Sequence, residues 1–210
     1  MIKIFVADDH AMIRRGIKQT VADEVDMQVV GEAQSAKQTI DLLRISECDV
    51  VILDVSMPDG NGLHVLKEIK KERPTLSVLM LSMHPEEQFA VRALRAGASG
   101  YLTKESSPEE LLTALRKVST GGRYLTLSLA ERLAEDLVTA SPVNSHERLS
   151  DREYEVFSLL ASGRTVSEIA EQLSLSVKTV STYRARILEK MNLRNNAEIM
   201  RYAMQRQLVD

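Results

Sequence analysis

The sequence predicts a doubly wound α/β domain with parallel strands in the order 2-1-3-4-5, followed by a small all-α domain. Three observations carry that expectation. Five short apolar runs alternate with helix-period segments up to residue 122, which is the pattern of βαβ units. A polar stretch broken by Pro142 comes next. From Leu149 onward the apolar residues recur only at helical spacing. The expected division is therefore residues 1–122, a helical connector and flexible linker over 123–147, and a helical domain over 148–210.

Residues 2–7 form the first expected strand, and a helix over 10–21 follows with Ile13, Ile17 and Val21 on one face. Residues 28–33 are a short second strand. Ser35 and Gln38 are placed to cap a helix over 35–46. The third strand, 49–54, has four consecutive apolar residues, three of them β-branched, so it reads as buried on both faces. Leu63, Leu66 and Ile69 mark a third helix that stops before Pro74. A strand over 77–82, a helix over 85–96 ended by Gly97, and a strand over 100–104 come next. Ser107, Pro108 and Glu110 supply an N-cap, a first-turn proline and a capping carboxylate for a helix over 107–119.

Strand order 2-1-3-4-5 brings Asp8 and Asp9, after the first strand, beside Asp54 at the end of the third. Three neighbouring carboxylates repel one another unless a cation sits among them, and an all-oxygen donor set suits Mg2+. Such an ion neutralises a phosphoryl group arriving on an aspartate nucleophile. Ser82 and Lys104, from the ends of the fourth and fifth strands, add a hydroxyl and an ammonium to the same rim, each suited to a phosphoryl oxygen. The residues themselves thus point to an acidic, metal-assisted phospho-acceptor site. His10 reads as a polar helix-start residue rather than a ligand, and neither His146 nor Cys48 acquires a role.

Composition narrows the class. No apolar run approaches the ~18 residues that span a bilayer. The first eight residues are too short and too acidic at their end for a signal peptide. The lone Cys48 excludes a disulfide framework and a multi-cysteine zinc site. A cytoplasmic protein without a membrane partner is expected. The net charge of -3 is uneven: residues 145–210 carry ten Lys and Arg against nine Asp and Glu, whereas residues 1–144 carry 17 against 21. Within 178–194, Lys178, Arg184, Arg186, Lys190 and Arg194 face only Glu189, a local surplus that attracts phosphates.

In the connector, leucines at 125, 127, 129, 133 and 137 predict a helix over 128–138 ahead of a flexible stretch at 139–145. Four helices follow, over 150–161, 166–173, 176–191 and 195–205, opened by Ser150, Thr165, Ser176 and Asn195. The middle pair has helix-turn-helix spacing, with Ala170 at the crossing and Val180 ten positions on; Ser174 stands in the turn where many such motifs have Gly. Lys178, Ser181, Thr182, Arg184, Ala185 and Arg186 are expected on the outer faces of the second helix.

Asp8-Asp9, Asp54 followed by Met57-Pro58-Asp59-Gly60-Asn61-Gly62, Ser82, Tyr101 and Lys104 resemble a response-regulator receiver domain of flavodoxin-like fold over residues 2–120. Leu149 to Glu153, Glu168-Ile169-Ala170, Leu175 to Val180 and Tyr183 to Met191 resemble the LuxR-type DNA-binding domain. The whole chain thus resembles a response regulator of the NarL/FixJ type. The resemblance implies that Asp54 takes a phosphoryl group from a sensor histidine kinase. It implies that Mg2+ is held by Asp9, Asp54 and the Ser56 backbone carbonyl, with Asp8 acting through water. Ser82 and Tyr101 become the switch pair, Tyr101 following Ser82 inward, and Lys104 the phosphate-contacting cation. Glu105 follows Lys104 where proline is usual, so the geometry of that peptide bond is open.

On the DNA side, Lys178, Thr179 and Tyr183 match phosphate-facing positions, Ser181, Thr182 and Ala185 match base-facing ones, and Arg186 adds charge. The expected function is a two-component transcription regulator. Phosphorylation changes its self-association, and a homodimer then binds paired half-sites on double-stranded DNA. No enzyme is expected beyond self-phosphorylation from a phosphodonor and slow autodephosphorylation. Two other readings fit less well. A haloacid-type phosphohydrolase puts a second acid two residues after the nucleophile, and Ser56 occupies that place. A regulator indifferent to phosphorylation would have a vestigial acid site, yet every acid-site residue is present.

Overall fold

The structure, a computed structural model, describes every residue except 58, 84, 85, 128, 132–144, 207 and 210. The chain divides into two compact units, Met1–Leu133 and Ala134–Asp210. Most of the helix expected at 128–138 lies outside the described residues, as does most of the stretch at 139–145.

In the first unit, strands β1 (Ile2–Ala7), β2 (Met27–Ala33), β3 (Val50–Asp54), β4 (Ser77–Ser82) and β5 (Gly100–Thr103) form one parallel sheet in the order β2-β1-β3-β4-β5. They alternate with helices α1 (Ala11–Ala22), α2 (Ala36–Leu43), α3 (Gly62–Glu72), α4 (Glu86–Arg95) and α5 (Pro108–Ser119). Every residue of β3 and β4 is buried, as expected for central strands covered on both faces. On one face, Ile17 and Val21 of α1 and Leu111, Leu115 and Val118 of α5 pack with Ile4, Val6, Val50, Ile52, Leu79 and Leu102. The alternate residues Phe5, Val51, Leu53, Val78 and Met80 are fully buried on the opposite face. Each such side chain contributes about 1.5–3 kcal/mol by leaving water.

Register is what this packing delivers to function. Ala7 pairs with Leu53, so Asp8 and Asp54 emerge side by side. Asp54 pairs with Leu81 and Ser82 with Thr103, so Ser82 and Lys104 arrive at the same rim. The peptide bonds of the described residues are trans, Lys104–Glu105 included.

The stretch after Asp54, read from sequence only as a loop, contains a short antiparallel ribbon in which Ser56 pairs with Asn61 and Met57 with Gly60. It is tied down at its exit. Asn61 caps α3 by accepting from the Leu63 amide at 2.8 Å, and the Gly62 amide donates back to the Val55 carbonyl at 2.8 Å.

The second unit opens with a 3-10 turn, Ser145–Arg148, followed by α6 (Asp151–Ala161), α7 (Val166–Gln172), α8 (Val177–Met191) and α9 (Asn196–Gln205). Ser150 with Glu153, and Thr165 with Glu168, form the reciprocal capping boxes, and Ser176 and Asn195 cap the other two helices. Ala170 and Val180 are buried as the helix-turn-helix spacing requires. Ser174 adopts φ 52°, the left-handed region for which glycine is the default, so this turn carries about 1 kcal/mol of strain. His146, given no role from sequence, packs into this unit. Its Nδ1 lies 2.9 Å from the Tyr202 hydroxyl and its ring lies beside Tyr154. Ordered packing of this unit thus reaches back to residue 146. No helix among the described residues is long and apolar enough to cross a membrane.

Candidate functional site

Two places collect the candidate residues, one in each unit. In the first, Lys104 Nζ lies 2.8 Å from both Asp8 Oδ2 and Asp54 Oδ2, and all three side chains are at most 2% exposed. Asp54 Oδ1 accepts from the Ser56 amide at 3.2 Å. Asp8 Oδ1 accepts from the His10 amide at 2.8 Å, and Arg14 Nη1 of α1 donates to the Asp8 carbonyl at 2.7 Å. The acid pair after β1 is thus held by the first turns of α1. Ser82 closes β4 and is fully buried; its carbonyl accepts from the Lys104 amide at 2.7 Å. Tyr101 is among the largest fully buried side chains, so it already occupies the interior that the switch reading has it move into.

The electrostatics follow from burial. Loss of water pushes Asp54 upward first, the charge of Asp8 adds to this, and Lys104 opposes both, leaving a pKa of about 7. Burial acts to lower the Lys104 ammonium, but Asp54 and Asp8 outweigh it and raise it above its ordinary value. One lysine does not satisfy the acids. Asp8 Oδ2 and Asp9 Oδ1 are buried oxygens without a hydrogen bond of good angle among the described residues, although Lys104 Nζ lies 2.8 Å from the first and His10 Nδ1 2.7 Å from the second.

Ligand atoms of Asp8, Asp9, His10 and Asp54 all lie within 4.8 Å of one another. Unsatisfied, buried carboxylate oxygens in one small volume fit a hard divalent cation such as Mg2+, which would offset both causes that raise Asp54. His10 caps α1 without a side-chain hydrogen bond to the helix, and its Nδ1 instead leans to 2.7 Å from Asp9 Oδ1. Its place at the helix start was legible. Its contact with the acids depends on a side-chain direction that no local signal encodes.

In the second unit, α8 carries the DNA-binding candidates. Lys178, Ser181, Thr182, Ala185 and Arg186 are exposed, and Thr179 and Tyr183 are half-buried. The opposite face, Val180, Ile187 and Met191, is core. Thr179 Oγ1 lies 2.7 Å from the Ser176 hydroxyl at the helix cap. The Thr182 hydroxyl donates to the Lys178 carbonyl at 3.0 Å, which leaves its oxygen as an acceptor.

The basic surplus of 178–194 is smaller at the surface than in the sequence. Arg184, expected outward, donates from Nε to Asn196 Oδ1 at 2.6 Å, and Lys190 Nζ meets the buried Glu153 carboxylate at 2.5 Å. Asn196 of α9 draws Arg184 partly in, and Glu153 of α6 pairs the charge of Lys190, which itself stays exposed. Lys178, Arg186 and Arg194 are exposed as well.

Known proteins agree with this division. The response regulator receiver domain model matches residues 4–116, and the model for bacterial regulatory proteins of the LuxR family matches residues 147–203. Response regulator UvrY of Escherichia coli (strain K12) is 36% identical over 208 residues, spanning 97% of this chain and 94% of that protein. RcsB from Salmonella enterica serovar Typhimurium, solved bound to a promoter in the presence of the phosphomimetic BeF3-, superposes with a TM-score of 0.64 at 28% identity, over 97% of this chain and 98% of that one. A structure of two RcsB dimers bound to two parallel DNAs gives a TM-score of 0.59 at 29% identity, over 100% of this chain and 99% of that one. The chain therefore belongs to the NarL/FixJ family of response regulators, with a receiver domain followed by a LuxR-type helix-turn-helix DNA-binding domain.

Proposed function

We propose that this response regulator is switched by phosphorylation of Asp54 in the cytoplasm and acts on DNA as a dimer. The observation that carries the reading is the buried Asp8–Lys104–Asp54 arrangement beside further unsatisfied carboxylate oxygen. It is an arrangement costly to maintain for stability alone, since a buried ion pair is often no better than apolar packing. The phosphodonor is the phosphohistidine of a sensor kinase. A carboxylate oxygen of Asp54 attacks the phosphorus, the phosphorus–nitrogen bond breaks, and the histidine nitrogen keeps the electron pair. Asp9, Asp54 and the Ser56 carbonyl, with Asp8 through water, would hold Mg2+, which when bound would supply charge neutralisation for the phosphoryl group. Lys104 exchanges one of its carboxylate contacts for a phosphoryl oxygen and so stays paired in a dry site.

Ser82, at the end of β4, hydrogen-bonds a phosphoryl oxygen. Because Tyr101 is already interior, its part in the switch is to hold or release that buried position as Ser82 moves. The face formed by α4, β5 and α5 changes shape and dimerises. Two DNA-binding domains then engage half-sites about one helical turn apart, the second at high effective concentration.

The test is the sedimentation and DNA affinity of the full chain with and without acetyl phosphate and Mg2+. A shift toward dimer is expected, with DNA affinity rising about tenfold or more. Ser82→Ala should blunt the shift while Asp54 is still labelled. A labelled chain that stays monomeric, free and on DNA, rules out the dimer mechanism.

Lys178→Ala tests the DNA face. This exposed ammonium at the start of α8 is assigned to a phosphate, so its loss should weaken binding about equally on specific and random DNA. The slope of log affinity against log salt should fall by about one unit. A loss confined to the specific site would instead place Lys178 on the bases.

A further inference from the structure

The ribbon after Asp54 is fastened to α2 as well as to α3, and the fastener is a residue to which the phospho-acceptor reading gives no task. Asp59 sends both carboxylate oxygens to the start of α2: the Ala36 amide donates to Oδ1 at 2.6 Å and the Lys37 amide to Oδ2 at 3.0 Å. The Ser35 hydroxyl accepts from Gln38, and the Thr39 amide makes the first intrahelical bond, to the Ser35 carbonyl. The N-terminal amides of α2 are thereby fully accounted for, and two of them depend on a side chain 22 or 23 positions away. A second observation shows how closely the ribbon is held. A Cβ on Gly60 would come within 2.7 Å of the Ala36 Cβ, so the second strand of the ribbon lies directly against the first residue of α2. Burial acts to raise the Asp59 carboxyl, but the Lys37 and Ala36 amides outweigh it and hold the group below its ordinary pKa, so it remains an ionised acceptor.

We infer that Asp59 is a positioning residue. By clamping the Ser56–Asn61 ribbon on the N-terminus of α2, it fixes the Ser56 backbone, and with it the Mg2+ side of the acid site. The inference rests on the phospho-acceptor reading, because it assigns Ser56 to the ion. Asp59 itself touches neither ion nor phosphoryl group. With the clamp removed, the ribbon loses its tie to α2 but keeps those to α3 through Asn61 and Gly62 and from the Ser56 amide to Asp54, so the Ser56 carbonyl is held less firmly.

Mg2+ titration of the full chain by calorimetry, with amide hydrogen exchange at Ala36 and Lys37, tests this. Asp59→Ala is expected to weaken Mg2+ binding about tenfold and to speed exchange at both amides. Acetyl phosphate labelling of Asp54 should approach the wild-type level once Mg2+ is saturating. Asp59→Asn keeps one acceptor oxygen and loses the charge, so it should bind Mg2+ more tightly than Asp59→Ala. Equal weakening in the two variants would mean that rim charge, not the clamp, matters, and overturns the inference. So does faster exchange at Ala36 and Lys37 with Mg2+ affinity unchanged. If the wild-type chain itself neither binds Mg2+ nor becomes labelled, it is the phospho-acceptor reading that fails.

Discussion

Asp54→Asn is expected to abolish labelling by acetyl phosphate and Mg2+, leaving no incorporation where the wild-type chain takes up one phosphoryl group. The amide is nearly isosteric with the carboxylate but is not a nucleophile, and the proposed function gives the other acids near it an ion to hold rather than a phosphorus to attack. The fold should survive. Lys104 keeps Asp8 at 2.8 Å, so no buried charge is stranded. The variant also removes a carboxylate whose burial and proximity to Asp8 already push it to about 7. A melting temperature equal to or above that of the wild type is therefore expected, in line with buried ion pairs that cost more in desolvation than they return. Full-length labelling together with a thermal melt checks both parts. Label on the Asn variant would move the acceptor to Asp8 or Asp9, and a large fall in stability would show that Asp54 is held for the fold. Asp9→Ala should lose nearly as much labelling by weakening the metal.

Gly62→Ala should produce the second largest effect, and one opposite in sign to helix propensity. Gly62 is the first residue of α3, where alanine is intrinsically favoured by about 1 kcal/mol. Yet an added Cβ would lie 2.0 Å from the Asp54 carbonyl oxygen and 2.9 Å from both the Asp54 carbonyl carbon and the Val55 Cα. All three are backbone atoms, so no rotamer change relieves the clash. The start of α3 must back away from the end of β3, breaking the bond from the Gly62 amide to the Val55 carbonyl. A net loss of about 3 kcal/mol is expected, the upper range for overpacking, or a fall in melting temperature of about 10 °C. Because the displaced atoms belong to Asp54, labelling should slow by about 100-fold, the usual result of a misplacement near 1 Å. Normal labelling and melting in this variant would show that α3 can shift freely against β3.

Much of the architecture was legible because its signals are local. Val50 to Leu53 announce a strand buried on both faces, and those residues are fully buried at the centre of the sheet. Ser107 with Glu110, Ser150 with Glu153, and Thr165 with Glu168 announce helix starts three residues apart, and each pair closes its box. The site was legible to the extent that strand order alone places side chains. Asp8, Asp54, Ser82 and Lys104 each stand at or just beyond the end of a strand whose neighbours could be inferred. The ribbon at Ser56–Asn61 was not legible, because its strands are two residues each and carry no alternation to read.

The sequence by itself determined the succession of elements, the parallel sheet, the helical domain that follows it and which side chains gather at the strand ends. Those follow from apolar period, capping residues and the identity of side chains at strand ends. Only the tertiary structure decided the pairings. It bridges Asp8 and Asp54 through one lysine, turns His10 toward Asp9 and carries Asp59 to the start of α2. It also pairs Arg184 with Asn196 and Lys190 with Glu153, and seats His146 against Tyr202. The reason is physical. Propensity and caps act over one helical turn, whereas a buried polar group is paired with whichever partner close packing brings within about 3 Å, however far away it lies in the chain.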